Sequence, residues 1–363
     1  MSIAFSLARA GRWFLESGIQ EPSGGVARFY RSDIEKNKAV STEITGYTAS
    51  ALVYLFRVTG DQQYLDRAKQ AAKFLLDHAW DNTLQTFPFE HPSPSDESHH
   101  QAYFFDCGII IRGLLAVWME TKEARLVEIA HRAAQGMVKD FHTGRDYHPI
   151  LDLPGKEPLE RTDQWSRTSG CYQLKAALAW YEVAELTGDD ELRSAWLEIL
   201  DFAVAGHPGF PEGAINAHRR MDRLHPYCYF LEGLTPVLDR AECAEAYRTA
   251  LAEVSRHLRE LVPSFVRSDV YAQLLRARIF GASVAPLDVT AASEEAAALA
   301  EFQASSPAAK FDARIDGGFV FGRRDGEMSP HVNPVSTAFA LQALEMWRGF
   351  QAGSAPPCRQ LLI

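Results

Sequence analysis

The chain has 363 residues, of which 47% are apolar and 23% are charged, as in an ordinary globular protein of one large domain or two average ones. Its formal net charge of −10 at pH 7 argues against a nucleic-acid partner and against an anionic membrane surface, because the overall field opposes both. The sequence contains no run of 18 apolar residues that could span a bilayer. Residues 1–14 carry Arg9 and Arg12 instead of a signal-peptide core, so we expect a cytoplasmic protein.

The cysteine and histidine patterns predict no metal site and no disulfide framework. Five cysteines are scattered without a CxxC pair, and buried thiols are their expected state. His99 and His100 follow Asp96 and Glu97, but adjacent histidines rarely converge on one ion, so a solvated loop is expected there. The phosphate-binding loop and the dinucleotide fingerprint are both absent from the sequence, and we expect no cofactor.

Taken in chain order, the predicted helices alternate between two kinds. Residues 2–18 form an amphipathic helix that ends at Gly18, and the turn-rich segment that follows contains a strand-like stretch at 26–30. A helix that is apolar on nearly all sides is predicted at 44–58, and an amphipathic one at 63–79. The same pair recurs at 105–119 with 123–140 and at 169–186 with 190–205. Further apolar helices are predicted at 226–238, 268–280 and 335–349, and further amphipathic helices at 241–261 and 291–304.

The starts of the first three apolar helices resemble one another. Each combines polar residues, a glycine and an aromatic residue, and the glycines Gly46, Gly108 and Gly170 lie 62 residues apart in both intervals. Six apolar and six amphipathic helices can stack as an open array or close into a ring. An open array needs polar terminal repeats, whereas helix 335–349 is as apolar as the others. The sequence therefore predicts an all-α (α/α)6 toroid that forms a single domain over residues 1–363.

The linkers predict where a site would lie. The long ones precede the apolar helices, and their residues are 19–43, 80–104, 141–167, 206–225 and 305–334. They gather on the face where those helices begin, and long loops on a rigid scaffold commonly carry function. Glycine-rich pieces at 23–25, 213–216 and 317–322 predict short β-hairpins around this mouth of the toroid.

Four segments carry a resemblance to a known superfamily; they are residues 42–47, 104–108, 169–173 and 331–337. These segments resemble the six-hairpin glycosidases and lyases, including uncharacterised members encoded among polysaccharide-metabolism proteins. The resemblance implies a closed toroid that holds a sugar in a funnel where the inner helices begin. It also implies that Asp106 takes the role of the inner-helix Asp that unsaturated-glucuronyl hydrolases use as general acid/base, although their adjacent Asp residues are absent here.

Three carboxyl groups are the catalytic candidates, because glycoside hydrolysis needs a pair of them. Asp106 precedes an apolar run, where an N-cap is the alternative role. Glu43 lies two residues before Thr45, itself a candidate N-cap, so the alternative for Glu43 is a first-turn carboxylate that the helix dipole favours. Asp163 lies in a polar loop with Trp165 and Arg167, a composition typical of a sugar subsite, and the alternative there is a solvated loop.

Further residues near the predicted helix starts are candidates for substrate binding. Arginines suit a carboxylate or phosphate, tyrosines a sugar face, and a histidine a proton transfer near neutrality; ion pairs, packing and an ordinary loop histidine are the alternatives. The substrate-binding candidates are Tyr47, Tyr103, Trp165, Arg167, Glu212, Arg220, His225, Tyr229 and Asn333.

Three functions remain open at this point. The leading hypothesis is a carbohydrate-active enzyme that hydrolyses an oligosaccharide, including the option of a uronate-containing one, with Asp106 and either Glu43 or Asp163. The first alternative is a polysaccharide lyase or uronate epimerase that uses Tyr and His. The second is a toroid that binds a glycan without catalysis. The sequence makes no prediction of the oligomeric state.

Overall fold

The computed structural model describes residues 6–91, 100–213, 216–262, 264–306 and 310–363, which divide into two compact units. The N-terminal unit comprises Gln20–Arg28 and Ala39–Ala205. The C-terminal unit comprises Met1–Ile19, Phe29–Lys38 and Gly206–Ile363. Among the described helices, none has both the length and the hydropathy that crossing a membrane requires.

Twelve α-helices are present in the described part of the chain, in the alternating order that the sequence predicts. They are α1 (Leu7–Glu16), α2 (Thr42–Thr59), α3 (Gln62–Phe74), α4 (Phe104–Thr121), α5 (Ala124–Phe141), α6 (Gln173–Thr187), α7 (Asp190–Gly206), α8 (Ala217–Gly233), α9 (Ala241–Leu261), α10 (Ser268–Phe280), α11 (Val289–Ala300) and α12 (Pro334–Gln351). The helices predicted to be apolar all round, α2, α4, α6, α8, α10 and α12, bury most of their residues, whereas the others bury one face.

Two predicted helix starts are wrong. Helix α6 begins at Gln173, so Gly170 lies outside the helix, unlike Gly46 and Gly108. Helix α8 begins at Ala217, nine residues before the predicted start, because Asn216 caps it: its side chain accepts a hydrogen bond from the Arg219 N–H at 3.0 Å. Pro226, which the prediction placed at the helix start, lies inside α8.

The strands are short and antiparallel. They are β1 (Val26–Ala27), β2 (Tyr30–Arg31), β3 (Lys36–Asn37), β4 (Val40–Ser41), β5 (Gln101–Tyr103), β6 (Ile150–Asp152), β7 (Glu157–Pro158), β8 (Phe265–Arg267), β9 (Gly322–Arg324), β10 (Glu327–Met328) and β11 (His331–Val332). The N-terminal unit contains the pair β1–β4 and the sheet β5–β6–β7; the C-terminal unit contains the sheets β11–β2–β3 and β8–β9–β10.

Four strands lead into buried helices. Strands β4, β5 and β8 are followed directly by α2, α4 and α10, and β11 is separated from α12 by one residue. The predicted β-structure is present at 26–30, where β1 lies and β2 begins, and at the end of 317–322, where residues 319 and 320 form isolated bridges and Gly322 begins β9. In the third predicted segment, Gly213 lies in a turn, and residues 214 and 215 lie outside the described residues.

The buried helices of the N-terminal unit touch through their backbones. A Cβ atom added to Gly46 of α2 would lie 2.9 Å from the Cα atom of Ile110 in α4. A Cβ added to Gly108 of α4 would overlap the carbonyl oxygen of Ala176 in α6. Glycine is therefore required at both crossings, and the close approach brings the first turns of α2 and α4 together.

Candidate active site

Two carboxyl groups lie in the adjacent first turns of α2 and α4. Glu43 is half-buried in α2, and Asp106 in α4 is only 5% exposed. The Oδ2 atom of Asp106 has no hydrogen-bond partner among the described residues. Buried carboxyl oxygens without partners are costly, and such groups concentrate at functional sites.

The two N-cap candidates, Asp106 and Thr45, do not cap their helices, and Glu43 lies in the first turn of α2. The N-cap of α4 is Tyr103, which precedes Asp106 by three residues and makes no side-chain capping bond. The N-cap of α2 is Ser41, whose hydroxyl accepts from the Ile44 N–H at 3.3 Å. Thr45 lies inside the helix instead, where its hydroxyl donates to the Ser41 carbonyl at 2.7 Å and accepts from the Val26 N–H at 2.9 Å.

The surroundings favour the protonated form of this pair. Burial raises the pKa of Glu43 to about 7, because protein surrounds its carboxylate although part of the residue is exposed. Burial, and then the negative charge of Glu43, raise the pKa of Asp106 well above its ordinary value. The positive charge of Arg28 lowers both pKa values in part. These shifts favour the protonated form of Asp106, and at neutral pH Glu43 is close to its midpoint.

Arg28, which was not among the sequence candidates, is the cation that acts on both carboxyl groups. It follows β1, and its Nη1 atom lies 3.0 Å from Oε1 of Glu90. Its guanidinium carbon lies 5.1 Å from the centre of the Phe89 ring. The sequence signal was weak, because Arg28 belongs to a strand-like stretch and not to a helix start.

Aromatic side chains lie beside the carboxyl pair. Tyr103 is half-buried, its hydroxyl donates to Oε1 of Gln101 at 3.2 Å, and its ring centre lies 5.0 Å from that of Phe89. Burial, and then the charge of Asp106, raise the pKa of Tyr103, whereas Arg167 and Arg28 lower it. These effects place Tyr103 within electrostatic range of Asp106 and both arginines.

A second aromatic pair follows the polar loop of residues 161–167. The Trp165 ring is half-buried and meets Tyr172 edge-to-face at 5.3 Å. The Tyr172 hydroxyl donates to the Thr168 carbonyl at 2.9 Å, and the charge of Asp106 contributes to its raised pKa after burial and Cys171. Tyr172, and Trp165 through it, therefore belong to the surroundings of Asp106.

The structure brings together five of the seven residues that the sequence selected in this unit, with Trp165 joined to the other four through Tyr172, and places two apart. The charge of Glu43 acts on Asp106, and the charges of Asp106 and Arg167 act on Tyr103. Asp163 is exposed in its loop, and Tyr47 is 2% exposed in the core. Of the two candidates for the second carboxyl group, Glu43 and Asp163, the structure therefore favours Glu43.

His225, a candidate in the C-terminal unit, belongs to a buried polar network. Nδ1 of His225 lies 2.7 Å from Oε1 of Gln273 and 3.6 Å from Oδ2 of Asp269. Arg267 donates to both oxygens of Asp269, at 3.0 and 2.7 Å, so this arginine serves an ion pair. Burial lowers the pKa of His225 to about 4. The imidazole is therefore neutral at pH 7, and its Nδ1–H donates to Gln273, since an amide oxygen only accepts.

The remaining candidates in this unit differ in their surroundings. Tyr229 is 2% exposed and packs edge-on against His225 with ring centres 4.5 Å apart. Glu212 is exposed in a turn, and Arg220 is half-buried within α8 and not in the linker where we expected it. Asn333 caps α12, and its Oδ1 accepts from the backbone N–H groups of residues 335 and 336 at 2.8 and 3.2 Å.

The thiols and possible metal ligands complete the description. Cys107 in the first turn of α4, Cys171 just before α6 and Cys228 inside α8 are buried free thiols, as expected. Within the described ranges, no three His, Cys, Asp or Glu residues are grouped so that they could hold a metal ion. The predicted solvated loop at Asp96, Glu97 and His99 lies outside the described residues, which resume at His100.

Comparison with known proteins places this geometry in context. The sequence profile described as glycosyl hydrolase family 76 matches residues 19–195, the stretch that contains both carboxyl groups. No curated protein matches the sequence.

Three similar solved structures illustrate the likeness of fold. A cellobiose 2-epimerase from Bacillus thermoamylovorans has a TM-score of 0.69 at 11% identity, over 92% of this chain and 95% of that one. A sugar epimerase from a ruminal bacterium has a TM-score of 0.69 at 9% identity, over 93% and 98%. An unsaturated glucuronyl hydrolase from Bacillus sp. GL1 has a TM-score of 0.64 at 15% identity, over 96% and 97%. These likenesses confirm the predicted all-α (α/α)6 toroid fold and, with the family match, support a carbohydrate-active enzyme.

Proposed function

We propose that this chain, which has the (α/α)6 fold of the six-hairpin glycosidase-like superfamily, hydrolyses glycosidic bonds in an oligosaccharide. The observation that carries the proposal is the pair of carboxyl groups in the adjacent first turns of α2 and α4, both with raised pKa values. Glycoside hydrolysis needs one protonated and one ionised carboxyl group, and this environment favours such a state near neutral pH.

The two carboxyl groups are suited to different roles. Asp106 is the general acid, because it is the more deeply buried of the two and an oxygen without a partner can deliver its proton to the leaving glycosidic oxygen. Glu43 is the ionised partner, because it is partly exposed and Arg28 stabilises its negative charge.

Glu43 can act in either of two ways. It can take a proton from water that attacks the anomeric carbon, which inverts the configuration, or it can attack that carbon itself and form a covalent intermediate, which retains it. The anomeric form of the first product, followed by proton NMR, decides between these two reactions.

The surroundings support a saccharide substrate. Tyr103 and Trp165 present half-buried aromatic rings, on which a pyranose ring can stack. Arg167 forms no salt bridge within the described chain, and its charge reaches Tyr103. A uronate-containing oligosaccharide would place a carboxylate near this cation, so we include such substrates with neutral ones.

The test replaces Asp106 by Asn and measures the release of reducing ends from a panel of neutral and uronate-containing oligosaccharides. Loss of the general acid is expected to lower kcat by about 10²–10⁴-fold with an unchanged circular dichroism spectrum. Asp201→Asn, on the exposed face of α7, is the matched control and is expected to keep full activity. An unaffected rate in Asp106→Asn contradicts the proposal, and loss of activity in Asp163→Asn contradicts the choice of Glu43.

The alternatives give different products. The neutral, buried His225 favours an epimerase that transfers a proton at carbon, and epimerases are among the similar structures. Deuterium incorporation into an otherwise intact saccharide in heavy water would support that reaction. New absorbance from a C4–C5 double bond would indicate a lyase. Binding without turnover, equal in the parent and in Asp106→Asn, would indicate a non-catalytic glycan-binding toroid.

A further inference from the structure

A surface cleft lies beside the sheet β8–β9–β10 in the C-terminal unit. Its volume is ≈ 420 Å³, within the range of about 300–1,000 Å³ typical of small-ligand sites. The residues that form its walls and floor are Phe265, Phe321, Arg323, Arg324, Met328 and His331. None of them contributes to the proposed acid/base pair.

Backbone hydrogen bonds hold the cleft in shape. Strand β9 pairs with β8 and turns back through β10, and the Ser329 N–H donates to the Gly322 carbonyl at 2.8 Å. The Asp325 N–H donates to the Ser264 carbonyl at 2.9 Å and ties the hairpin turn to the residue before β8. A Cβ on Gly322 would lie 2.5 Å from the Val266 carbonyl oxygen, so the close contact between β8 and β9 requires glycine.

The cleft offers apolar surface of limited area. Phe321 is half-buried, with the Arg267 guanidinium carbon 4.8 Å from its ring centre. Met328 is 43% exposed, although it is a large apolar side chain. Arg324 extends over Phe265, with its guanidinium carbon 5.0 Å from the ring centre. The ligand therefore needs an apolar face of its own for Phe321 and Met328.

The charges that border the cleft balance one another. Arg324 supplies donors, as does Arg323, which also donates to Oε2 of Glu301 at 3.2 Å, and Asp325 and Glu327 supply acceptors. Burial, and then the charge of Arg31, lower the pKa of His331, which is neutral at pH 7 and adds no charge. A balanced set gives a charged ligand little net attraction. It suits hydroxyl groups, each of which both donates and accepts hydrogen bonds.

We propose that this cleft is a second carbohydrate site, which binds an uncharged pyranose unit through residues other than Asp106 and Glu43. A pyranose has an apolar C–H face, which can pack on Phe321 and Met328. It also has hydroxyl groups at its edge, which can exchange hydrogen bonds with the charged residues that border the cleft. The choice of a saccharide over another neutral polyol rests on the proposed function, whereas the location and the polarity of the cleft do not.

Met328 reports directly on this cleft. The chain has six methionines, and with ¹³C-labelled methionine methyl groups the Met328 resonance is assigned by its loss in Met328→Leu. Glucose, mannose, galactose and cellobiose are titrated into the full-length Asp106→Asn variant, with glucuronate as the charged comparison. At least one neutral sugar is expected to shift the Met328 resonance saturably, while the resonances of the buried Met137 and Met221 stay in place.

Two variants separate a specific site from weak general contact. Arg324→Ala is expected to weaken the neutral sugar about fivefold, the equivalent of one hydrogen bond. Arg12→Ala, an exposed arginine of α1 in the same unit, is expected to change nothing.

Three results would overturn the proposal: a Met328 resonance that no neutral sugar moves, tighter binding of glucuronate than of glucose, or equal effects of the two arginine variants. The readout is binding and not turnover. A Met328 response would therefore survive a failure of the proposed hydrolysis, and a silent Met328 would leave the hydrolysis intact.

Discussion

Glu43, Asp106 and Arg28 show how neighbouring charges divide the roles of two similar side chains. Both carboxyl groups lie at helix N-termini, where the helix dipole alone would favour their ionised forms. Burial outweighs that effect and raises both pKa values, and Arg28 lowers both in part. The protonation state of the pair is therefore a property of the three residues together.

The pH dependence of hydrolysis follows from this arrangement. Catalysis requires an ionised Glu43 and a protonated Asp106, so kcat/KM is expected to rise as pH increases through about 7 and to fall when Asp106 loses its proton. Arg28→Gln removes a charge that lowers the pKa of Glu43. The rising limb is then expected to move to higher pH, by up to about one pH unit.

The control for this measurement is Arg57→Gln, since Arg57 lies in the last turn of the same helix, α2, and pairs with Glu120. Its profile of kcat/KM against pH is expected to match that of the parent. A rising limb that is the same with and without Arg28 would show that this guanidinium does not influence the reacting carboxyl groups.

The same burial has a cost in stability. The pKa of Glu43 is about 7 in the folded chain and near its ordinary value of 4.5 when unfolded, so the ionised form destabilises the fold. The penalty is complete above about pH 7 and absent below about 4.5. Glu43→Gln is therefore expected to raise the free energy of unfolding by about 2–3 kcal/mol at pH 8, and by little at pH 4.5.

Urea denaturation at the two pH values measures this difference. Glu294→Gln, which changes an exposed glutamate of α11, provides the baseline for the loss of a surface charge. If Glu43→Gln stabilises the protein equally at both pH values, its effect is not one of ionisation.

At the scale of elements, backbone contacts between buried helices place the reacting groups. Gly108 follows Asp106 by two residues and contacts the backbone of Ala176. The side chain of an alanine at position 108 would overlap a carbonyl oxygen, which cannot rotate away as a flexible side chain can.

Gly108→Ala is therefore expected to force α4 and α6 apart. We expect a loss of about 1–3 kcal/mol in unfolding free energy, together with a fall in kcat because Asp106 moves with α4. Thermal denaturation and initial rates measure the two effects. Gly206→Ala, at a helical glycine with open space around its Cβ position, is expected to be near neutral; equal effects of the two variants would contradict the packing explanation.

At the scale of the whole molecule, several histidines make stability depend on pH. Their pKa values are lowered in the fold, in each case first by burial; they are His148, His207, His225, His257 and His331. The unfolded chain takes up protons on these groups near pH 6.5, whereas folded His225 does so only near pH 4. The stability that these neutral histidines contribute is therefore complete above about pH 6.5 and is lost as the pH falls from there towards about 4.

The melting temperature is accordingly expected to fall between pH 7 and pH 5. Glu43 and Asp106 oppose the fall, since carboxyl groups with raised pKa values take up protons first in the folded state. Glu43→Gln removes part of this opposition, so its melting temperature should fall more steeply than that of the parent. Scanning calorimetry across this pH range provides the comparison, and a shallower fall in Glu43→Gln would contradict the sign of the argument.

The sequence was sufficient for the helical architecture, because the 3.6-residue apolar period records which faces of a helix are buried. Helices α9 and α10 have the predicted bounds, and the alternation of two helix types predicts the toroid. The start of α8 was missed because Pro226 is a strong local signal for a helix start, whereas the cap at Asn216 is stabilised by a single side-chain hydrogen bond.

The sequence by itself also determined that carboxyl groups occupy the starts of α2 and α4 and that aromatic residues accompany them. Tertiary structure alone decided that Glu43 interacts with Asp106 while Asp163 is exposed. It also decided that Arg28 lowers the pKa values of both carboxyl groups and that Arg267 forms an ion pair with Asp269. The physical reason is that periodicity describes a residue relative to its own helix. The pKa of a carboxyl group depends on burial and on charges from other elements, whose distances no local pattern contains.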